Sequence, residues 1–332
     1  MRYVEGITTA GNAKKISKIG LGTWQFGSRG WSYGPSYADT DAALIVRRAL
    51  ELGVTLFDTA EAYGMGESER ILGRALAAVP EAEKTAVVAT KFTPVLPVAP
   101  VVQQRALASA ERLGIRTIDL YQVHAPNPLF RDGPAMRGMA ALRRVGLVDE
   151  VGVSNYSLER WRAAEAALGG RILSNQVSYS LLRREPERDL IPFAAAHGRI
   201  IIAYSPLAQG LLSGRYDVTN RPTGDVRAAN PLFLPENLAR VTPLLDVLRE
   251  VAAAHGASCA QIALAWVIRH PAVVAIPGAA SVAQLESNAA AADIELADDE
   301  YDALTTAAEN FQPLSGPAAW AALATERLRG GR

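Results

Sequence analysis

The stretch Leu56-Phe57-Asp58-Thr59-Ala60-Glu61-Ala62-Tyr63-Gly64 decides the fold and most of the chemistry of this chain. The apolar run from Val54 to Phe57 predicts a buried strand, and Asp58 follows where the backbone leaves that strand. Tyr63 lies in the next loop, which contains glycines and can bend sharply. A phenol has a reference pKa of about 10. It therefore needs help from its surroundings to donate or accept a proton at neutral pH.

Two further strand-like runs end in basic side chains. The run 86–91 ends in Lys91, and the run 118–124 ends in His124. In a parallel barrel the ends of consecutive strands meet on one face, and Tyr63 lies in the first loop of that face. Each side chain alone has an ordinary structural explanation, such as a turn cap or a solvated lysine. Their joint placement predicts one catalytic site.

Composition and charge narrow the class of protein. The chain has 332 residues, 49% of them apolar, and its 34 basic residues balance 34 acidic ones. Such a chain can form a large core, and it has no basic field to gather nucleic acid or anionic lipid. Its single cysteine, Cys259, excludes an intrachain disulfide, predicts a packed core thiol and fits a reducing compartment. With no run of 18 apolar residues and no signal segment, we expect a cytoplasmic protein without membrane or nucleic-acid partners.

Strand and helix patterns alternate along the whole chain. Eight strand-helix units predict an α/β fold, a (β/α)8 TIM barrel, as a single domain over 1–332. A β-hairpin around Gly11-Asn12 is expected before it, and extra helices after it. The expected strands are 19–23, 54–58, 86–91, 118–124, 148–153, 172–177, 200–204 and 273–276. The expected helices are 39–52, 67–79, 101–113, 134–145, 157–167, 186–197, 237–254, 258–270 and one that begins at Ser281.

Two other features bear on the fold. The main alternative is an open doubly wound sheet, but no G-x-G-x-x-G motif follows the first strand. The connection from Pro206 to Pro235 is longer than ordinary connections in compact domains. We expect it to be a functional flap.

An ordered set of short motifs carries a family resemblance. The chain resembles the aldo-keto reductase superfamily, and in particular its bacterial and potassium-channel-β-subunit-like branches. The motifs cover nearly the whole chain in the family's order, which makes the set specific although each motif alone is weak. They are Gly20-Leu21-Gly22-Thr23-Trp24, Phe57-Asp58-Thr59-Ala60-Glu61-Ala62-Tyr63-Gly64, Ala89-Thr90-Lys91, Tyr121-Gln122-Val123-His124, Gly152-Val153-Ser154-Asn155-Tyr156, Asn175-Gln176-Val177, Ala203-Tyr204-Ser205-Pro206-Leu207, Ala275-Ile276-Pro277-Gly278 and Asn288.

The resemblance implies an NAD(P)H-dependent reduction of an aldehyde or ketone to an alcohol. Tyr63 would protonate the carbonyl oxygen while the nicotinamide delivers hydride to the carbon. Lys91 would lower the pKa of the phenol, and Asp58 would pair with Lys91 so that its buried charge is tolerated. His124 would donate a hydrogen bond to the same oxygen.

The resemblance also implies a set of cofactor-binding residues. Uncharged amide and hydroxyl groups would hold the nicotinamide carboxamide, an aromatic ring would face the nicotinamide, and loop amides with an arginine would hold the pyrophosphate. The expected residues are Thr23, Trp24, Asp58, Ser154, Asn155, Gln176, Tyr204, Ser205, Pro206, Leu207, Gln209, Gly210, Ser213, Gly214, Arg215, Gly278, Ala280, Gln284 and Asn288. We expect no metal.

The sequence departs from the family pattern at the adenosine end. Many relatives place a lysine or arginine just after Ile-Pro-Gly, where it pairs with the phosphate that distinguishes NADPH from NADH. Here Ala279, Ala280 and Ser281 follow that motif. NADP is the expected cofactor on family grounds, and NAD use stays open because a phosphate without a cation loses charge-assisted hydrogen bonds.

The substrate and the partners are less constrained. Aromatic residues near the strand ends could line an apolar mouth or equally pack beneath loops, and they are Trp24, Phe26, Trp31, Tyr33 and Phe92. The expected partner is a small-molecule carbonyl substrate, and the chain could be a monomer or a homo-oligomer. An alternative function is a nucleotide-binding regulatory subunit of a channel with little turnover, but that branch typically has asparagine where this chain has His124. A lyase that uses Lys91 as a Schiff base fits Tyr63 poorly.

Overall fold

Eight parallel strands form one sheet, and its two outer strands meet. The computed structural model describes residues 1–8, 13–28, 39–222 and 225–330. The strands of the sheet are β3 (Leu21–Gly22), β4 (Leu56–Asp58), β5 (Val87–Phe92), β6 (Ile118–Val123), β7 (Val148–Ser154), β8 (Ser174–Ser178), β9 (Ile200–Tyr204) and β10 (Val273–Ala275). They are paired in sequence order from β3 to β10. Parallel bridges from Ile19 to Ala275 and from Gly22 to Gly278 close the sheet into a barrel.

A small antiparallel hairpin precedes the barrel. Its strands are β1 (Tyr3–Thr8) and β2 (Lys15–Ser17). The hairpin turn expected at Gly11-Asn12 lies outside the described residues. Val4 and Ile16 belong to the same buried cluster as the interior residues of the barrel strands. The hairpin therefore closes the amino end of the barrel.

Helices follow most of the strands and cover the outside of the sheet. They are α1 (Asp39–Glu51), α2 (Glu67–Ala77), α3 (Ala82–Thr85), α4 (Ala99–Leu113), α5 (Gly133–Arg144), α6 (Leu158–Leu168), α7 (Leu190–Ala196), α8 (Asp225–Ala228), α9 (Pro235–Ala254), α10 (Cys259–Ile268), α11 (Val282–Ala290), α12 (Asp298–Glu309) and α13 (Gly316–Gly330). In the described part of the chain, no single helix has the length and hydropathy to cross a membrane. Taken together, α9 and α10 meet the length and composition expected of a membrane span, but the two helices are bent by 93° relative to each other.

The predicted barrel, hairpin and additional C-terminal helices are confirmed, with local differences. The predicted helix 186–197 is instead a 3₁₀ turn at Glu185–Glu187 followed by α7. Asp189, which separates them, has a φ of −145° that no helix continues. The last barrel helix begins as predicted after Ser281, whose side chain accepts a hydrogen bond from the amide of Gln284.

The barrel interior has an apolar layer below a polar one. Alternate strand residues face inward, and Leu56, Ala89 and Leu120 belong to the buried interior cluster. Two residues further along the same strands come Asp58, Lys91 and Gln122, each at most 2% exposed. The period of two therefore places these polar side chains on the same inward face, at the carboxyl ends of the strands.

Helix α2 packs its backbone directly against the end of α4, and this contact gives a stability prediction. A Cβ added at Gly73 would lie 2.4 Å from the carbonyl oxygen of Leu113. Without that clash, alanine would favour the helix by about 1 kcal/mol. We expect Gly73→Ala to lower the free energy of unfolding by about 1–3 kcal/mol, as overpacking does.

Urea unfolding followed by circular dichroism measures this effect, and Gly133→Ala is the matched control. Gly133 opens α5, and the nearest atom that a Cβ would meet there is 3.7 Å away. The control is expected to be neutral or slightly stabilising. Equal stability of the two variants would show that the α2–α4 contact yields without cost.

Candidate active site

A buried ion pair lies at the carboxyl end of the barrel. The Nζ atom of Lys91 lies 2.6 Å from Oδ1 of Asp58, and the two side chains are 1% and 2% exposed. Lys91 also donates to the carbonyl oxygen of Thr59 at 2.8 Å. The second carboxylate oxygen of Asp58 accepts a hydrogen bond of 2.7 Å from Nε2 of Gln176. Both charges are thus paired and hydrogen-bonded, which is the condition for burying them.

The loop after β4 carries Tyr63 over this pair. Nζ of Lys91 lies 5.1 Å from the centroid of the tyrosine ring, so the ammonium faces the phenol. Gly64, Met65 and Gly66 all have positive φ values. They turn the chain sharply from the tyrosine into α2, as the glycines of the sequence predicted.

Burial and charge act in opposite directions on the phenol. Burial raises the pKa of Tyr63, while the positive charge of Lys91 lowers it and Asp58 raises it again. The net pKa lies above the ordinary value of 10.0. Lys91 thus acts on the pKa of Tyr63 in the expected direction, but desolvation outweighs the cation and the net pKa is raised. At neutral pH the hydroxyl is protonated and can serve as a proton donor.

The ammonium stays charged in this environment. Burial would lower the pKa of Lys91, but Asp58 and Tyr63 raise it, and the net pKa lies above its ordinary value. A cation thus faces the phenol. If Tyr63 gives up its proton, the resulting phenolate is stabilised by a charge that is already in place.

His124 stands beside the phenol. Its ring is 5.7 Å from the ring of Tyr63, centroid to centroid, with the planes at 82°. Burial and the nearby positive charge of Lys91 lower the pKa of His124 to about 4. The imidazole is therefore neutral at pH 7 and carries one N–H that can donate a hydrogen bond.

These side chains open into a cleft of about 870 Å³. Tyr63, His124 and Asp58 line one end of it, with Lys91 directly beneath them. Most of the predicted cofactor residues share the cleft. Those in its wall are Trp24, Asp58, Ser154, Asn155, Gln176, Tyr204, Ser205, Pro206, Leu207, Gln209, Gly210, Arg215, Gly278, Ala280 and Gln284.

Four predicted cofactor residues do not lie in the wall of the cleft. Thr23 is fully buried and bonds to the carbonyl of Asp58 and to Ser68. Asn288 is 3% exposed and donates to the carbonyl of Gly278 at 3.2 Å. Ser213 and Gly214 lie beyond the wall of the cleft, where the Ser213 hydroxyl donates to the carbonyl of Gly210. Their hydrogen bonds within the protein brace the residues that do form the wall.

The predicted aromatic mouth is wrong for two residues. Phe26 is fully buried in the cluster that contains Ile45. Phe92 is 1% exposed and packs on Tyr121, with ring centroids 5.4 Å apart. Trp24 lines the cleft and is 44% exposed. The other two predicted aromatic residues, Trp31 and Tyr33, lie outside the described residues.

The wall of the cleft also contains residues that the sequence did not predict. Gln25, Val226 and Arg227 line it. Nε of Arg227 donates to the carbonyl of Gln209 at 2.8 Å. The signal that could have found Arg227 is the length of the flap, since a basic residue in a long functional connection can reach a site far from it in sequence.

The loop after β9 has an unusual backbone. Ser205, Ala208, Gln209 and Gly210 all have positive φ values, which is uncommon for residues other than glycine. Turns of this kind present successive backbone N–H groups on one side and form concavities that suit anions. Arg215 lines the same cleft. This end of the cleft therefore combines the groups expected of a phosphate-binding site.

Comparisons with known proteins place the chain in a family. The sequence profile described as "Aldo/keto reductase family" matches residues 18–309. An uncharacterized oxidoreductase of Mycobacterium tuberculosis (strain H37Rv) is 57% identical over 301 residues, which is 91% of this chain and 92% of that protein. The chain belongs to the aldo/keto reductase family and is an oxidoreductase that uses a nicotinamide cofactor.

Two further similarities concern the cofactor. The NADH-specific methylglyoxal reductase of Escherichia coli (strain K12) is 30% identical over 327 residues, covering 90% of this chain and 96% of that protein. The structure of an aldo-keto reductase from Klebsiella pneumoniae in complex with NADPH superposes with a TM-score of 0.70 at 28% identity, covering 95% and 98% of the two chains. Similar proteins thus include one named for NADH and one solved with NADPH.

The low pKa of His124 gives a prediction about pH. The ordinary value is 6.5 and the folded value is about 4, so the unfolded chain takes up a proton first as the pH falls. Protonation of His124 in the unfolded chain therefore lowers the free energy of unfolding as the pH falls from 6.5 to about 4. Above pH 6.5 the imidazole is neutral in both states, and this loss of stability is absent. We expect the His124 ring signal in an NMR titration, assigned with His124→Asn, to stay in the neutral form until the pH approaches 4.

Urea unfolding at several pH values provides the second measurement. The stability difference between the wild type and His124→Asn should change between pH 6.5 and pH 4 and stay constant above that range. A ring signal with its midpoint near 6.5 would show that neither burial nor Lys91 affects this imidazole.

Proposed function

We propose that the chain reduces an aldehyde or ketone to an alcohol with NADPH, with Tyr63 as the proton donor. The observation that carries the proposal is the contact between a protonated phenol and a buried, paired ammonium at the end of a cleft. A carbonyl reduction needs one proton on oxygen, and negative charge develops there in the transition state. Tyr63, Lys91 and His124 are the groups in this cleft that match both needs.

The residues fit a nicotinamide cofactor. The cleft has the volume of a cofactor site, and its wall contains the proton donor, two arginines and a backbone turn suited to anions. The reduced nicotinamide supplies a hydride from its C4 atom to the carbonyl carbon. The hydroxyl of Tyr204 donates to Oδ1 of Asn155 at 3.0 Å. Its half-buried ring offers a flat face against which the nicotinamide ring would stack.

The protein moves one proton in this reaction. The Tyr63 O–H bond breaks and the proton passes to the carbonyl oxygen, which becomes the alcohol hydroxyl. Lys91 stabilises the phenolate left behind, and the N–H of neutral His124 holds the carbonyl oxygen while charge builds up on it. Water then restores the tyrosine proton after the product leaves.

NADPH is the proposed cofactor because the cleft wall contains an arginine besides Arg215. The residues after Ile-Pro-Gly offer none, but Arg227 shares the cleft wall with Ala280 and Gln284. A charge-assisted hydrogen bond from an arginine to a phosphate is worth about 1.5–3 kcal/mol. We assign Arg227 to the phosphate that NADPH has and NADH lacks, and Arg215 to the pyrophosphate that both share.

Removing the phenol hydroxyl should greatly lower turnover and spare cofactor binding. A positioned general acid contributes about 10²–10⁴-fold to the rate. We expect Tyr63→Phe to lower kcat by a factor in that range, about 10²–10⁴, and to leave the Kd for NADPH within about twofold, because the ring and its packing stay. Nicotinamide absorbance over a panel of aldehydes and ketones measures the first, and fluorescence titration measures the second.

Tyr301→Phe is the control for this experiment. Tyr301 stacks on Trp266 with ring centroids 5.5 Å apart and is not part of the cleft wall. The control variant should keep both turnover and binding. Loss of NADPH binding in Tyr63→Phe, with unchanged turnover per bound complex, would rule out the assigned role.

Removing Arg227 should change the choice of cofactor. We expect Arg227→Ala to weaken NADPH binding by about tenfold or more and NADH binding by much less, because NADH has no second phosphate to lose. Arg215→Ala is the matched control and should weaken both cofactors by the same factor. Fluorescence titrations of each variant with both cofactors separate the outcomes. Equal losses for NADPH and NADH in Arg227→Ala would refute the assignment.

A further inference from the structure

The loop that carries Tyr63 has little apolar packing of its own. We call residues 59–66 the tyrosine loop. Ala62, Gly64 and Met65 are exposed, Met65 at 91%. The chain also passes through three residues of positive φ directly after Tyr63. Segments with few buried apolar contacts open at a low cost in free energy. Polar contacts are therefore what keeps this tyrosine in one place.

Glu61, two residues before Tyr63, fixes the start of the tyrosine loop on the end of β5. Its Oε1 accepts a hydrogen bond of 2.7 Å from the amide of Thr93 and forms an ion pair with Arg105 of α4. Its own amide donates to the carbonyl of Lys91 at 3.1 Å. Arg105 completes the cluster by donating to the carbonyl of Thr93 at 2.8 Å. The Glu61 side chain is 14% exposed, so solvent screens this ion pair only in part.

This cluster links the backbone of the phenol to the backbone of the ammonium. Lys91 lies on β5, and the amide of Tyr63 donates to the carbonyl of Ala60 at 3.1 Å, so one tight turn through Glu61 leads to the tyrosine. The position of that turn on β5 sets where the Tyr63 ring lies over Lys91. Precision matters here, because a displacement of about 1 Å can lower a reaction rate by about 100-fold.

The end of the tyrosine loop is held independently, by a second arginine of α4. Arg112 packs on Gly66, where an added Cβ would lie 2.6 Å from Cδ of the arginine. Arg112 pairs with the fully buried Glu69 of α2, whose other carboxylate oxygen accepts a hydrogen bond of 2.6 Å from Thr90. Loss of Glu61 therefore frees only the start of the loop. Helix α2 stays fixed on the barrel, and we expect such a variant to fold.

We propose that Glu61 is a positioning residue for proton transfer, which with Arg105 holds the tyrosine loop on β5 and so keeps Tyr63 over Lys91. The inference rests on the proposed function, because it takes Tyr63 to be the proton donor. Glu61 is not part of the wall of the cleft, so it acts through the tyrosine and not on the substrate. Without its side chain the start of the loop moves, the phenol spends less time over the ammonium, and proton transfer slows.

The test is a single-turnover measurement on Glu61→Ala. The complex of enzyme and NADPH is mixed in a stopped-flow instrument with an aldehyde that the wild type reduces, in H₂O and in D₂O. We expect the rate to fall by about 10- to 100-fold and the Kd for NADPH to stay within about twofold, because the contacts of the cofactor are unchanged. The solvent isotope effect should equal or exceed that of the wild type, since proton transfer is the step that slows.

Glu61→Gln is the conservative variant. Its amide keeps an oxygen that can accept the hydrogen bond from Thr93, while the charge that faces Arg105 is lost. Because the contact between a partly exposed pair is worth little by itself, this variant should react within about fivefold of the wild type. Such a recovery would show that the attachment to β5 is what the reaction needs.

Glu165→Ala is the matched control, because Glu165 of α6 makes the same kinds of contact elsewhere on the barrel. Its Oε1 accepts from the amide of Ile172 at 2.9 Å and from Nε of Arg199 at 2.8 Å, and both side chains of the pair are 17% exposed. Ile172 and Arg199 come just before β8 and β9, at the amino ends of the strands and away from the cleft. We expect the control to lower Tm about as much as Glu61→Ala does, with the wild-type rate and isotope effect.

A double variant tests whether Glu61 acts through the tyrosine. In the Tyr63→Phe background no hydroxyl is left to position, so Glu61→Ala should cause no further loss of rate. A double variant slower than Tyr63→Phe would overturn the inference. So would a Glu61→Ala variant that behaves like Glu165→Ala, with a lower Tm and the wild-type rate, or one whose solvent isotope effect falls below that of the wild type.

Two reference measurements keep this inference distinct from the proposed function. A wild-type chain that reduces no carbonyl compound with either cofactor, or a Tyr63→Phe variant that keeps its turnover, overturns the proposed function and the role of Glu61 with it. A wild-type chain that turns over and a Tyr63→Phe variant that does not, together with an unchanged rate in Glu61→Ala, overturn the role of Glu61 alone.

Discussion

The buried pair of Lys91 and Asp58 is the interaction on which the site depends. Removing two charges from water costs several kcal/mol for each ion, and an unpaired partner would be strongly destabilising. The barrel meets that cost with further polar contacts from Thr59 and Gln176. The pair and its two further contacts come from the ends of three strands, β4, β5 and β8, or the loops after them. The closed sheet is therefore what makes this charge arrangement possible, and the arrangement in turn fixes the relative positions of the strand ends.

The same pair sets the protonation of its neighbours. Lys91 contributes to the low pKa of His124 and opposes the effect of burial on Tyr63. A neutral imidazole and a protonated phenol then face the same end of the cleft at neutral pH. Both are hydrogen-bond donors, and a permanent cation lies behind them. In the proposed reaction, negative charge on the substrate oxygen would therefore meet donors that are already in place, which is the condition for electrostatic catalysis.

The sequence predicts the side chains that regular strands position. Asp58 and Lys91 end apolar runs, and the inward period of two brings them together, so both the barrel and the core of the site follow from pattern alone. The same period shows why Phe92 is not part of the cleft, because it follows Lys91 by one position and faces the outer side of the sheet. Phe26 lies in a loop, where no period tells a buried ring from an exposed one, and its packing under α1 became visible only in three dimensions.

Residues of the long connection show where such prediction ends. Arg227 lies in a short helix without amphipathic repeats, and what places it in the cleft is a hydrogen bond to a backbone carbonyl 18 residues earlier. That carbonyl belongs to Gln209, whose positive φ no residue preference predicts. Strand-borne groups are positioned by the sheet that all barrels of this kind share, whereas groups on the flap are positioned by contacts particular to this chain. In the proposed function, the choice of cofactor should therefore depend on contacts of the flap, whereas proton transfer depends on groups that the sheet positions.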